Sequence, residues 1–180
     1  MLQLPGQYIG DSWYFVHKGM AHCFFLTAPE TIPLAERWNH WDIGHAVSND
    51  LLHWKYLGLV LKKGKLGTWD SQKLAAGSVI AWANQFWMAY TGIENSDGYW
   101  IPRTGMAVSS DLYTWTKLDT NPATEPDGHF YDAGDRKSKV SRSWRDPFLV
   151  RSGDRIYQYI CARPTDSSAA GIVGLASSPN

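Results

Sequence analysis

The sequence predicts an all-β protein built from four-stranded antiparallel units, and three observations predict it. A turn motif recurs along the chain. Each copy follows a strand, a tight turn and a second strand. Helical periodicity is nowhere convincing. The motif is Gly44-His45-Ala46-Val47-Ser48-Asn49-Asp50-Leu51-Leu52-His53-Trp54-Lys55, and it returns as Gly105-Met106-Ala107-Val108-Ser109-Ser110-Asp111-Leu112-Tyr113-Thr114-Trp115-Thr116. A third copy opens at Gly174-Leu175-Ala176-Ser177 and meets the end of the 180 residues, so the repeat lengths are 61 (44 to 105) and 69 (105 to 174). Ala-Val reads as a strand end, Ser-(Asn/Ser)-Asp as a turn closed by side-chain hydrogen bonds to the backbone, and the later Trp as a plug against the sheet.

In chain order, the first unit opens with Asp11–Val16, turns at His17–Met20 and returns along Ala21–Leu26 before its motif. The second runs Ala76–Trp82, turns at Ala83-Asn84 and returns along Gln85–Thr91. The third runs Asp146–Val150, turns at Arg151–Asp154 and returns along Arg155–Ile160. Each motif supplies a third strand, and the segment after it (Tyr56–Leu61, for example) a fourth. Four antiparallel strands at this spacing are the signature of β-propeller blades with long inserts. The blades are expected at about 8–61, about 74–119 and from about 144 onward. Between two and three blades fit, whereas closed propellers have about four to eight. The chain therefore reads as the N-terminal part of a single larger propeller domain spanning 1–180. Its open sheet edges invite self-association. A compact β-sandwich with coincidental internal similarity is the competing architecture. Loops are expected at Pro29–Asn39, Lys62–Lys73, Glu94–Arg103 and Asn121–Arg142, the last a polar insert at a cleft rim or a disordered segment.

Composition limits the partners. Lys+Arg and Asp+Glu are equal at 17 each, which argues against nucleic acid or an anionic membrane as the main partner, since both need a basic patch. Aromatic residues make up 14% of the chain, suited equally to a β-rich core and to the walls of a sugar cleft. Cys23 and Cys161 each sit in an apolar run and read as small buried hydrophobes. No cluster has metal-ligand spacing, so neither metal nor cofactor is expected. No signal peptide is visible at Met1–Gly10, which tilts the expected location toward the cytoplasm.

The candidate chemistry lies in Ser143-Trp144-Arg145-Asp146-Pro147-Phe148. This stretch sets an arginine and an aspartate side by side at the mouth of a buried strand. With the repeats, Asp11 in Gly10-Asp11-Ser12, the Trp41–Trp54 stretch, Trp69-Asp70-Ser71 through Gly77-Ser78-Val79, Tyr90-Thr91-Gly92 and Trp144-Arg145-Asp146-Pro147 together resemble the five-bladed β-propeller glycoside hydrolases. The likeness is greatest to glycoside hydrolase family 32 (invertases, levanases and other β-fructosidases), with family 43 related, and it runs across nearly the whole chain. The resemblance implies a glycosidase whose substrate is a carbohydrate. It implies that Asp11 is the nucleophile, or general base in a family 43-like enzyme, and that Asp146 orients the sugar hydroxyls and stabilises the transition state. It implies an acid/base glutamate from a later blade.

Two departures stand out. Family 32 usually carries Asn-Asp-Pro-Asn-Gly around the nucleophile, where this chain has Ile9-Gly10-Asp11-Ser12-Trp13, and no glutamate follows Asp146. Glu30, Glu36, Glu94 and Glu125 all precede it in expected loops and are read as exposed carboxylates. Glycoside cleavage needs two carboxyl groups flanking the bond. Inner strands that begin near a propeller axis let Asp11 and Asp146 converge despite their separation in sequence. Arg145 and Ser78 are expected to contact the sugar, and Trp13, Trp41 and Trp144 to offer platforms for ring faces, with core packing between blades as the alternative for each Trp. His45 is expected to be structural. Alternatives to the fructosidase are an arabinofuranosidase or xylosidase, a phosphorylase, and a truncated propeller that binds sugar without turnover.

Overall fold

Three antiparallel sheets follow one another along the chain in the computed structural model, which describes residues 2–96, 99–133, 143–165 and 170–178. The first contains β1 (Gln7–His17), β2 (Met20–Pro29), β3 (Asp42–Ser48) and β4 (Lys55–Leu61). The second contains β5 (Lys73–Trp82), β6 (Gln85–Ser96), β7 (Tyr99–Ser109) and β8 (Thr116–Lys117). The third contains β9 (Trp144–Ser152), β10 (Arg155–Ala162) and β11 (Ile172–Ser177). In each sheet the strands are hydrogen-bonded in chain order, the meander of a propeller blade. β5 packs against both β1 and β9, so the first strands of the three sheets stand side by side with β5 in the middle. The described residues thus form successive blades rather than the two facing layers of a sandwich. Their only helix is one 3-10 turn, Arg37–Asn39, and no helix is long and apolar enough to cross a membrane.

The tight turns after the first strands have a backbone cause. Lys18-Gly19 and Ala83-Asn84 both take positive φ at their two central positions (48° and 77°, 50° and 61°), the mirror-image turn whose twist matches that of the flanking strands. The recurring motif folds the same way twice. The Ser48 hydroxyl accepts the N–H groups of Asp50 and Leu51, and Asp50 Oδ1 accepts those of Leu52 and His53. Ser109 and Asp111 repeat this for Asp111, Leu112, Tyr113 and Thr114. Trp54 and Trp115 then donate their indole N–H groups to the carbonyls of Leu51 and Leu112. Four backbone N–H groups after each strand end are thus met by side chains of the motif itself.

The main core lies between the first and second blades, where Trp13, Phe24, Leu26, Trp41 and Ile43 meet Leu74, Met88, Tyr90, Leu112 and Trp115. Burying each such side chain contributes roughly 1.5–3 kcal/mol. The third blade has a smaller cluster of Trp144, Ile160 and Ala162.

Two expectations, the Glu94–Arg103 loop and the burial of Cys161, are corrected, and the expected insert is irregular chain in its described part. Glu94–Arg103 is not a loop: β6 and β7 pair from Phe86–Ser109 out to Ser96–Tyr99, because an unbroken register carries the hairpin beyond the core. The described part of the insert, 121–133, is packed rather than loose. The Thr124 hydroxyl meets Thr104 of β7, Gln158 of β10 and the Trp144 indole N–H, tying the second blade to the third. The remainder, 134–142, lies outside the described residues. Cys23 is buried as expected, but Cys161 is exposed, since alternation along β10 turns it to the face opposite Ile160 and Ala162.

Candidate active site

Each first strand is broken by a β-bulge at the same height. The β1–β2 register passes from Ile9–Thr27 to Ser12–Phe25 and skips Gly10 and Asp11. The β5–β6 register skips Ala76. The β9–β10 register passes from Cys161–Arg145 to Tyr159–Phe148 and skips Asp146 and Pro147. Counting back from the residue that closes each hairpin (His17, Trp82, Ser152), the same step reaches Asp11, Ala76 and Asp146. A bulge withdraws a residue from the ladder and re-aims its side chain, which is why bulges recur next to active sites. Two of the three equivalent positions carry a carboxylate, and the third carries only a methyl group.

Asp146 is held in an uncommon conformation, with φ +56°, a region few non-glycine residues visit. Its N–H, freed by the bulge, donates to the Thr91 hydroxyl of β6 at 2.8 Å. That hydroxyl in turn donates to the carbonyl of Ala76, the bulged residue of β5, at 3.1 Å. Directly beyond, the Ser78 hydroxyl donates to the Pro147 carbonyl (2.9 Å) and accepts the Leu149 N–H (2.8 Å). Two hydroxyls of the second blade thus bond the two skipped residues of the third blade's bulge, and Ser78 also bonds Leu149 beyond it.

The Asp146 side chain is 38% exposed, and Arg145 Nε lies 3.7 Å from its Oδ2, a loose, solvent-touching ion pair of the kind worth about 0–1 kcal/mol. Burial pushes the Asp146 carboxyl above the usual aspartate range, the Arg145 guanidinium pulls it down, and the Asp11 carboxylate raises it again. Asp11 itself is exposed. The strands that carry the two aspartates, β1 and β9, pack on either side of β5. Arg145 also acts on Lys73, the buried first residue of β5; burial first, and then Arg145, bring its amine down to about 8. Its Nζ lies 3.2 Å from the centre of the Trp100 ring. Lys73 and Trp100 were not legible as site neighbours. The one available signal was a lysine abutting an apolar strand, as Arg145 abuts another.

The other expected contacts are turned inward. Trp13 (8% exposed) stacks on Phe24 with ring centroids 6.3 Å apart. Trp41 (3%) packs edge-to-face with Trp38, and Trp144 (3%) packs on Tyr131. Ser78 is buried with its hydroxyl committed to β9. His45 is buried against Phe24 and His22. Glu94 and Glu125, which stand on the extended hairpin and the insert, both bind Arg103. Among the described residues no group of three or more His, Cys, Asp or Glu side chains is placed to hold a metal ion.

Comparison with known proteins agrees with this geometry. The family model of the glycosyl hydrolases family 32 N-terminal domain matches residues 10–180. Beta-fructofuranosidase 1 of Zea mays is 32% identical over 119 residues, 61% of this chain and 16% of that protein. Acid beta-fructofuranosidase AIV-18 of Capsicum annuum is 27% identical over 166 residues, 89% of this chain and 23% of that protein. Among solved structures, fructan 1-exohydrolase IIa from Cichorium intybus superposes with a TM-score of 0.75 at 22% identity, over 98% of this chain and 31% of that one. Sucrose-6-phosphate hydrolase from Lactobacillus gasseri does so with 0.74 at 22% identity, over 94% and 32%. The chain spans less than a quarter of the length of these two curated relatives and about a third of these solved structures, and thus forms part of the propeller they share. With blades of this topology and a family match running from Gly10 to Asn180, the chain belongs to glycosyl hydrolase family 32.

Proposed function

We propose that the protein is a glycoside hydrolase that cleaves O-glycosidic bonds of β-fructosides, an invertase- or levanase-type β-fructosidase, and that residues 1–180 are the N-terminal part of its catalytic propeller. The observation that carries this reading is the pair of aspartates, Asp11 exposed and Asp146 half-buried, at equivalent bulges of β1 and β9, the strands packed on either side of β5. In this reading the Asp11 carboxylate attacks the anomeric carbon. The glycosidic bond breaks as a proton passes to the leaving oxygen from a carboxylic acid supplied beyond Asp146. A water then hydrolyses the glycosyl-enzyme ester and frees Asp11. Asp146, oriented beside Arg145, accepts hydrogen bonds from sugar hydroxyls that strengthen as positive charge develops on the ring. Trp13, Trp41, Trp144 and Ser78 shape the floor from beneath rather than touch the sugar. Blade faces that expose Phe148, Tyr159, Val173 and Leu175 are covered by further blades, or by a second copy when this segment stands alone.

A second reading, sugar binding without turnover, is favoured for these 180 residues taken alone, because no glutamate follows Asp146 and Glu94 and Glu125 are held by Arg103. One assay separates the two: fructose release from sucrose and inulin by the full-length protein and by its Asp11→Asn and Asp146→Asn variants. The hydrolase reading expects turnover that falls about a thousandfold or more in each variant, the scale of losing a principal catalytic group. Fructose binding with no turnover in the full-length protein supports the second reading and overturns the first.

A further inference from the structure

Thr91 is wholly buried on β6, in the second blade, yet its hydroxyl reaches the bulges of two neighbouring strands. It donates to the carbonyl of Ala76 and accepts the N–H of Asp146. Neither group has a ladder partner, because each belongs to the bulged position of its strand. Asp146 has no freedom to recover that bond along β9, since Pro147 follows it and φ stands at +56°. Ser78 anchors the next two stations, the Pro147 carbonyl and the Leu149 N–H. The conformation that sets the Asp146 side chain beside Arg145 is thus imposed from another blade, through single hydroxyl groups.

We propose that Thr91 is a positioning residue for the reaction: by accepting the Asp146 N–H it holds Asp146 in its left-handed conformation and aims its carboxylate at the sugar beside Asp11. This rests on the hydrolase reading and assigns Thr91, with Ser78 behind it, a part in it. A buried threonine on a core strand would ordinarily need only to pack. Here its hydroxyl is committed on both sides, donating within its own blade to Ala76 and accepting across the blade boundary from Asp146. A strained backbone angle persists only where its surroundings over-determine it, and these two hydroxyls are those surroundings. Loss of the hydroxyl lets Asp146 relax along the chain, and displacements of about 1 Å at a reacting centre cost as much as a hundredfold in rate.

The test compares Thr91→Val, which keeps the shape and removes the hydroxyl, with Thr91→Ser, which keeps the hydroxyl, in the full-length protein. Three readouts are taken: kcat and KM for sucrose hydrolysis, the carbon-13 titration of the Asp146 carboxyl, and the thermal midpoint. The expected result is a kcat about tenfold or more below wild type in Thr91→Val, a KM changed less, a shifted Asp146 titration, and return of all these to near wild type in Thr91→Ser. If Thr91→Val melts earlier but keeps its kcat and its Asp146 titration, Thr91 only packs and the proposal is overturned. If Thr91→Val does not fold, Thr91→Ala, which likewise removes the hydroxyl that accepts the Asp146 N–H, carries the same readouts. If the wild-type protein hydrolyses no β-fructoside, the hydrolase reading fails by itself, and the Asp146 titration still decides whether Thr91 sets that carboxyl.

Discussion

Acidification from about pH 7 to pH 5 is expected to destabilise this chain through one buried imidazole pair. His22 and His45 lie between the first and second blades, 2% and 0% exposed, with His22 Nδ1 3.0 Å from His45 Nε2. Phe24 stacks on His45, Tyr113 from the second blade's turn packs on both rings, and His17 and Asp111 are the charged or titratable neighbours that act on them. Burial, and then the neighbouring His22, lowers His45 from 6.5 to about 4 against an opposing pull from Asp111; burial first, and then His17, lowers His22 as well. For a group depressed in the folded state the unfolded chain takes the proton first. Its contribution is complete above the unfolded value and is lost as the pH falls through 6.5 toward 4. Proton linkage makes the loss between pH 7 and pH 5 about 2 kcal/mol for His45 alone, with His22 adding in the same direction. Asp50, Asp111 and Asp127 are held below the usual aspartate range by backbone N–H groups, so they titrate beneath this window. Urea unfolding at the two pH values measures the effect. His45→Gln, which keeps a hydrogen-bonding group facing His22 but does not titrate, should lose most of the slope. A wild-type change under about 0.5 kcal/mol, or an undiminished slope in His45→Gln, would refute the reasoning.

Other outcomes follow from the same coordinates. Asp11→Asn removes a like charge from Asp146, so the Asp146 carboxyl should titrate at lower pH in the variant by carbon-13 NMR. Lys117 bonds Asp70, whose side chain is 4% exposed. Lys117→Met leaves a buried, unpaired carboxylate and should cost about 3 kcal/mol in urea unfolding, more than Asp70→Asn, because stranding a buried charge is costlier than removing it. A methyl group at Gly77 would sit 2.0 Å from the Ala89 carbonyl oxygen. Gly77→Ala must therefore move backbone and should cost about 1–3 kcal/mol, seen as a lower thermal midpoint. A thiol reagent should label one of the two cysteines in the native protein, the exposed Cys161, because Cys23 is buried and its thiol is raised to about 11.

The sequence by itself determined the blades, because their signals are local. The Ser-x-Asp turn satisfies its own backbone within a few residues, and the positive-φ turns need only their own residues to bend. Alternating apolar strands between such turns can form little but meandering antiparallel sheets. The equivalence of Asp11 and Asp146 was also legible from the repeat, although β1 opens four residues before Asp11, at Gln7, and β9 two residues before Asp146, at Trp144. What only the tertiary structure decided is everything that depends on contact between blades. Trp13, Trp41 and Trp144 read equally well as sugar platforms or core; packing between the first two blades buries Trp13 and Trp41, and the third blade's own cluster buries Trp144. Ser78 reads as a small residue leaving room for a ring, yet a strand sixty-nine residues further on claims its hydroxyl. Thr91 lies in the Tyr90-Thr91-Gly92 stretch, but nothing local gives its hydroxyl a role: its partners Ala76 and Asp146 are left out of their ladders by bulges in their own pairings. A bulge is a property of two strands in register, and the reach of a hydroxyl from one blade to the next is a property of three dimensions, so neither is written in any single stretch of chain.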